Sequence, residues 1–372
     1  MADELSSWIE IRPSQTGKFE AGNFRQVLKV LYNNGKPFRF FMANCPSSLV
    51  EGRRSVKFFL ELTDRNLAEY LAKYMRTTMD VEVLEAKPPR QTYSECVEFQ
   101  MECHYGLPIC EVGEKCMENP VDAIVACLSM IENAAFEVTA VADPKAAAGI
   151  RDYKARLTGE KKTPDQIAVD IIVGILDGMI SGFTGGAPSK PKDERSRKDG
   201  GLPPEIKTKV EAAEKKIFGN LFTCTVKAYG EKETLKRISE ALPAALNGFK
   251  PYKTTKISVA PTKLKRPNRV PVQNVLNKLS WITPLLMIFM TMFFNILNPF
   301  RLNALDVLMT AISVSCGVPF YIMFRKKKAI VLSADELSLI TGLPTAVKRL
   351  QVEPGKTVQT RGYLPTFNGK GP

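Results

Sequence analysis

Apolar and polar residues alternate along the first ninety positions in a way that predicts strands and helices in a regular succession. Four segments have the pattern of strands: 8–12, 37–43, 55–62 and 80–86. A helical repeat of apolar residues begins near Gly22 and ends at Asn34 and Gly35, and a second begins after the N-cap residue Asp64. The resulting order, β-α-β-β-α-β, predicts a ferredoxin-like domain over residues 1–90.

A second, interrupted copy of this pattern extends over residues 91–262. Its predicted strands and helices follow each other as β 96–105, α 120–131, β 136–142, β 221–229, α 232–246 and β 256–260. A helical and linker-like insertion, residues 145–219, separates the two halves of this copy. The predicted fold class is therefore α+β, with tandem ferredoxin-like (βαββαβ) domains of which the second is split by a helical insertion.

Two uncharged apolar segments, 279–297 and 307–324, are long enough to cross a bilayer as helices and predict a transmembrane hairpin within residues 263–328. Basic residues flank the pair, and Trp281 lies at one end. The residues that orient the hairpin are Lys265, Arg266, Arg269, Lys278, Trp281, Arg325, Lys326, Lys327 and Lys328. The positive-inside rule then predicts a multi-pass protein of the cell membrane with both termini, including the tail 329–372, in the cytoplasm. A pair of buried core helices is the alternative.

The net charge of +13 at pH 7 is unevenly distributed. Residues 1–184 carry more acidic than basic side chains, whereas 185–278 and 325–372 are strongly basic. Such basic segments suit anionic phospholipid or nucleic acid. The eight cysteines, with no secretory pattern in the first residues, favour a reducing compartment.

An apolar helix is predicted within the insertion, at residues 167–183. Asp170 and Asp177 would be costly in lipid, whereas glycines at every fourth position allow close packing on other helices. We expect this helix to pack on protein, and whether it contacts a membrane stays open.

The sequence offers little catalytic or metal-binding chemistry. Cys96, Cys103, Cys110 and Cys116 are spaced too widely for a structural zinc site, and strand alternation puts His104 on the other face from Cys103. Residues 353–357 end like a phosphate-binding loop, but Leu350 stands where that loop needs its first glycine. We therefore predict a protein that is not an enzyme and has no metal or cofactor, and leave metal binding by the four cysteines open.

Residues 332–345, LSADELSLITGLPT, resemble a segment that precedes the motor domain in archaeal and bacterial type IV secretion and conjugation ATPases. The matching residues are Leu332, Ser333, Glu336, Leu337, Leu339 and Pro344. The pattern of residues 119–142 is also similar to that family, whereas the ATPase domain itself is missing. The resemblance implies a membrane-bound scaffold that docks a separately encoded hexameric ATPase, and whether the chain forms homo-oligomers stays open.

Two functions follow as hypotheses. The first is a non-catalytic, membrane-anchored scaffold of a type IV secretion-like or conjugation (DNA-transfer) apparatus, in contact with the lipid bilayer. The alternative is a membrane-tethered module that binds single-stranded nucleic acid, with Phe38, Phe40 and Phe58 as candidate stacking rings unless these rings are core. An enzyme of unrecognised chemistry is a third hypothesis, for which the sequence shows no acid/base constellation.

Overall fold

The computed structural model describes residues 6–14, 21–109, 120–161, 203–245, 248–257, 259–267, 330–344, 347, 350 and 352–355. Within these ranges the strands are β1 (Ser7–Pro13), β2 (Phe38–Pro46), β3 (Arg54–Leu62), β4 (Val81–Ala86), β5 (Glu95–Met101), β6 (Ala135–Ala142), β7 (Leu221–Gly230), β8 (Phe249–Lys256) and β9 (Ile330–Ser333). The helices are α1 (Ala21–Asn34), α2 (Arg65–Thr78), α3 (Pro120–Ser129), α4 (Ala146–Leu157), α5 (Pro204–Ile217), α6 (Lys232–Ala245) and α7 (Ala334–Thr341).

All nine strands belong to one antiparallel sheet with the order β4-β1-β3-β2-β6-β7-β5-β8, and β9 also pairs with β7. Strands β1 to β4 stand in the order 4-1-3-2 of a ferredoxin-like unit, and β5 to β8 repeat that order in mirror sequence along the sheet. The two units meet through β2 and β6, which are equivalent strands and pair from Phe38↔Ala140 to Ala43↔Ala135. Joining these two edges removes the exposed backbone groups that each would otherwise present.

The helices α1, α2, α3, α6 and α7 cover one face of the sheet. Alternate strand residues such as Phe40, Phe58 and Phe136 are fully buried there, in one apolar core that extends across both units. A smaller cluster that includes Trp8 and Tyr229 lies on the other face. Because side chains on a strand point alternately to the two faces, this second face carries the other half of each strand's residues. We call it the open face, because none of these five helices covers it; α4 and α5 cover only the part around Leu221.

The insertion between β6 and β7 contributes α4 and α5, which pack against each other. Ala146 and Ile150 of α4 and Ala213 of α5 bury Leu221 and Val331 of the sheet. This small cluster holds the insertion against the part of the sheet where β6 ends and β7 begins.

Residues 330–355 tie the two units together. Strand β9 pairs with the first residues of β7, and α7 packs on α1 of the other unit. Further along, Val352 bridges Val56 of β3 and Gly355 bridges Ser14 at the end of β1. Residues 330–355 thus contact the second unit first and then the first unit.

These findings correct the predicted fold class and location. The α+β class holds, and the two units share one continuous sheet and one core. No helix of the described residues is long and apolar enough to cross a membrane, which contradicts the predicted multi-pass hairpin as far as the description extends. The segments 279–297, 307–324 and 167–183 lie outside the described residues.

Candidate functional site: a basic groove on the open face

A groove of about 760 Å³ lies on the open face of the first unit. Its walls come from β1, from the hairpin of β2 and β3, and from the linker that follows β4. Five cations and two carboxylates are among the side chains that line it: Arg12, Arg54, Lys57, Lys87, Arg90, Glu10 and Glu85. The groove is therefore a positive surface, although the first half of the sequence is acidic overall.

Three of the cations are available to a ligand. Lys87 and Arg90 are exposed and Lys57 is half-buried, and none of them forms an ion pair within the described residues. By contrast, the Nε of Arg12 contacts Glu10 Oε1 at 2.6 Å, which neutralises one positive charge. The net positive potential of the groove thus comes from Lys57, Lys87 and Arg90 together with Arg54.

Arg54 lies where the two units meet. Its Nη2 donates to the carbonyl oxygen of Asn44 at 2.7 Å and to Oδ1 of Asn133, a residue of the second unit, at 3.0 Å. Its buried Nε has no hydrogen-bond partner within the described part of the chain. Because this nitrogen is buried, it faces the protein interior and not the groove, and Arg54 contributes to the groove through its positive charge.

The linker after β4 forms the opposite wall and is held in place by backbone hydrogen bonds. Gln91 and Ala260 exchange two such bonds of 3.0 Å each, which pair the linker with the segment after β8 at this one position. The Gln91 side chain accepts a hydrogen bond from the Tyr93 hydroxyl at 2.7 Å and donates to Cys45 Sγ at 3.1 Å. Lys87 and Arg90 therefore project from a wall that is fixed at Gln91.

A buried carboxylate fixes the rim of the groove. Glu353, 1% exposed, accepts hydrogen bonds from the backbone N–H and hydroxyl of Ser48 at 2.8 and 2.5 Å, and another from the Ser55 hydroxyl. Burial alone would raise the pKa of Glu353, but these serine hydrogen bonds outweigh it and lower the pKa to about 2. Gly355 is required nearby, because a Cβ there would lie 2.7 Å from the carbonyl oxygen of Arg12.

A charged network lies beside the groove on the same face, across the junction of the units. The guanidinium of Arg39 contacts Glu61 at 2.9 Å and Glu137 at 3.5 Å, and donates to the carbonyl oxygen of Thr262 at 2.7 Å. Tyr229 donates to Glu137 at 2.9 Å. Burial raises the pKa of Glu61, and Arg39 opposes that effect. The four side chains of this network are buried, so they join the units and do not face a ligand.

The family-like motif is packed into the structure. Leu332 and Leu337 are fully buried, Leu339 is partly exposed, and Pro344 is buried. Ser333 and Glu336 form a capping box at the start of α7. Glu336 also accepts a hydrogen bond from the N–H of Ile109 and pairs with the buried ammonium group of Lys216. This motif therefore stabilises the fold and offers no exposed docking surface.

The other candidate residues are not brought together into a site. Phe38, Phe40 and Phe58 are core residues under the helices, so they are not stacking rings. Cys96 is buried on the open face and Cys103 packs against the helix-side core, and no group of three or more metal-binding side chains occurs within the described ranges. His104 stacks on Tyr153 with ring centroids 3.9 Å apart. Cys110 and Cys116 lie outside the described residues.

Two of the predicted membrane-orienting residues are described. Lys265 and Arg266 are exposed in an irregular segment beyond β8. The remaining ones, Arg269, Lys278, Trp281, Arg325, Lys326, Lys327 and Lys328, lie outside the described residues.

The groove was missed in the sequence because its cations come from separate strands and a linker. A partial signal was present: Lys57 occupies an open-face position of β3, and Lys87 and Arg90 flank two prolines after β4. Comparisons with models of protein families, with curated proteins and with solved structures give no match to the chain.

Proposed function

We propose that the protein binds single-stranded nucleic acid through the basic groove of its first unit. The observation that carries this proposal is that Lys57 of β3 and Lys87 and Arg90 of the linker line one groove with no ion-pair partner within the described ranges. Cations arranged along a groove attract a phosphodiester backbone and release its condensed counterions. Arg54 also lines the groove and adds a fourth positive charge at the same place.

Binding would rest on phosphate contacts more than on base stacking. The aromatic rings of the open face, including Trp8 and Phe59, are buried with 5% and 4% exposure, so they present no flat surface to a base. Asn133 lines the groove and supplies an amide N–H₂ donor for base edges or sugars, whereas the Gln91 amide already bonds to Tyr93 and Cys45. Weak sequence preference and strong salt dependence are the expected consequences.

The test is a salt titration of affinity for a fluorescent single-stranded oligonucleotide, measured by anisotropy. In the triple variant Lys57→Gln, Lys87→Gln, Arg90→Gln, the slope of log K against log salt should become less negative by about 2, because each lost phosphate contact removes about 0.7. The matched control removes three lysines of the edge strand β8, Lys250→Gln, Lys253→Gln and Lys256→Gln, and so changes the net charge equally. Equal loss in both variants, or no binding by the wild type, would refute the groove as the binding site.

The scaffold hypothesis stays a second proposal, without the membrane anchor. It rests on the resemblance of residues 332–345 to the type IV secretion ATPases, and it requires a protein partner. The resemblance to type IV secretion ATPases implies a hexameric ATPase as that partner. Co-purification of such an ATPase with the wild type would support it, and its absence would refute it.

A further inference from the structure

The loop between β2 and β3, residues 47–53, presents two neighbouring aliphatic side chains to solvent. Leu49 is 54% and Val50 is 46% exposed. Hairpin loops normally carry polar residues, because those residues satisfy the turn and remain hydrated. This apolar tip therefore needs a reason beyond the turn itself.

The loop holds these two residues in a fixed position. Within it, the Ser47 hydroxyl accepts hydrogen bonds from the N–H groups of Leu49 and Val50 at 3.1 and 3.3 Å, and Ser47 N–H donates to the Arg53 carbonyl oxygen at 2.8 Å. From outside, Glu353 holds Ser48, whose hydroxyl also accepts from Arg12 at 3.0 Å. A buried carboxylate from the other end of the chain thus anchors the loop.

The tip continues from the groove. Pro46 and Arg54, the residues on either side of the loop, both line the groove, and exposed Arg53 stands next to the tip. A nucleic-acid strand leaving the groove at this end would meet Leu49 and Val50. Apolar side chains placed beside phosphate-binding cations act as wedges that pack on or between bases in other nucleic-acid complexes.

We propose that Leu49 and Val50 form a wedge that packs on the terminal base pair where a duplex opens into the single strand held by the groove. This inference rests on the proposed nucleic-acid function and makes the substrate class more specific: a junction of single and double strand. The groove cations hold the single-stranded arm, and the aliphatic pair covers the exposed face of the last pair. Burial of the two side chains against a base supplies the preference.

The experiment compares three ligands by anisotropy at one salt concentration: a single strand, a blunt duplex, and a duplex with a single-stranded arm. The wild type should bind the armed duplex about tenfold more tightly than the single strand. The variant Leu49→Ser, Val50→Ser should lose this ratio and keep its affinity for the single strand, whereas Leu49→Met, Val50→Met should retain the ratio. Met130→Ser, which changes another exposed apolar residue (78% exposed), is the control.

The affinity for the single strand tests the proposed function, and the ratio between ligands tests the wedge, so the two can fail separately. A wild-type ratio near one would overturn the wedge and leave groove binding intact. An equal loss of both affinities in the serine variant would also overturn it, since the tip would then contact the strand in general. Sedimentation with anionic phospholipid vesicles that depends on Leu49, combined with a ratio near one, would instead assign the tip to a lipid surface.

Discussion

The buried pair of Lys216 and Glu336 gives the sharpest test of how α7 is held on the sheet. The Lys216 ammonium group is 3.0 Å from Glu336 Oε1 and donates to the Leu107 carbonyl oxygen at 2.8 Å. The same carboxylate accepts from the N–H groups of Ile109 at 2.8 Å and Ser333 at 2.7 Å. The Lys216 ammonium group and the N–H groups of Ile109 and Ser333 therefore all have the Glu336 carboxylate as a partner.

The substitution Glu336→Gln removes the negative charge and keeps the shape. Lys216, 4% exposed, then lies buried without its counterion. The new amide N–H₂ also faces a backbone N–H group that donated a hydrogen bond to the carboxylate, so two donors oppose each other. Changing one partner of a buried ion pair lowers the free energy of unfolding by about 3–5 kcal/mol. We expect a loss of that size.

The neighbouring residue provides the control. Asp335 pairs with Arg25, but both side chains are solvent-exposed. Asp335→Asn makes the same change of charge in the same helical turn and should cost at most about 1 kcal/mol. Equilibrium unfolding in urea, monitored by circular dichroism, measures both variants. Equal costs for the two, or a cost below about 1 kcal/mol for Glu336→Gln, would refute the assignment of α7 stability to the buried pair.

Two further predictions concern Glu353 and the buried thiols. Because the folded-state pKa of Glu353 is lowered to about 2, its contribution to stability is complete above pH 5 and is lost as the pH falls toward 2. The substitution Glu353→Gln should therefore flatten the dependence of the unfolding free energy on pH over that range. An unchanged pH profile would contradict the anchoring of the Ser48 loop by Glu353. Burial raises the pKa of Cys45 and of Cys96 to about 11, so neither should react with iodoacetamide at pH 8 until urea unfolds the protein, as mass spectrometry of labelled peptides can show.

Local patterns in the sequence were sufficient for most of the secondary structure. The helical repeat that begins near Gly22 and ends at Asn34 is α1. The helix predicted after Asp64 is α2, and the Asp64 side chain accepts hydrogen bonds from its first N–H groups. Such elements follow from side-chain periodicity and capping, which are properties of neighbouring residues. The core positions Phe38, Phe40 and Phe58 also follow from alternation along their strands.

What the sequence alone decided is thus the succession of strands and helices, because each depends on contacts between residues close in the chain. Only the tertiary structure decided that β2 and β6 join two units into one sheet, that Glu336 of the family-like motif neutralises Lys216, and that Lys57 shares a groove with Lys87 and Arg90. These pairings connect residues that are distant in sequence. The local periodicity of a strand or helix does not predict which other strand edge it pairs with, or which charged residue it contacts. The physical reason is that apolar burial and charge pairing depend on which residues are close in space, and the complete fold determines those distances.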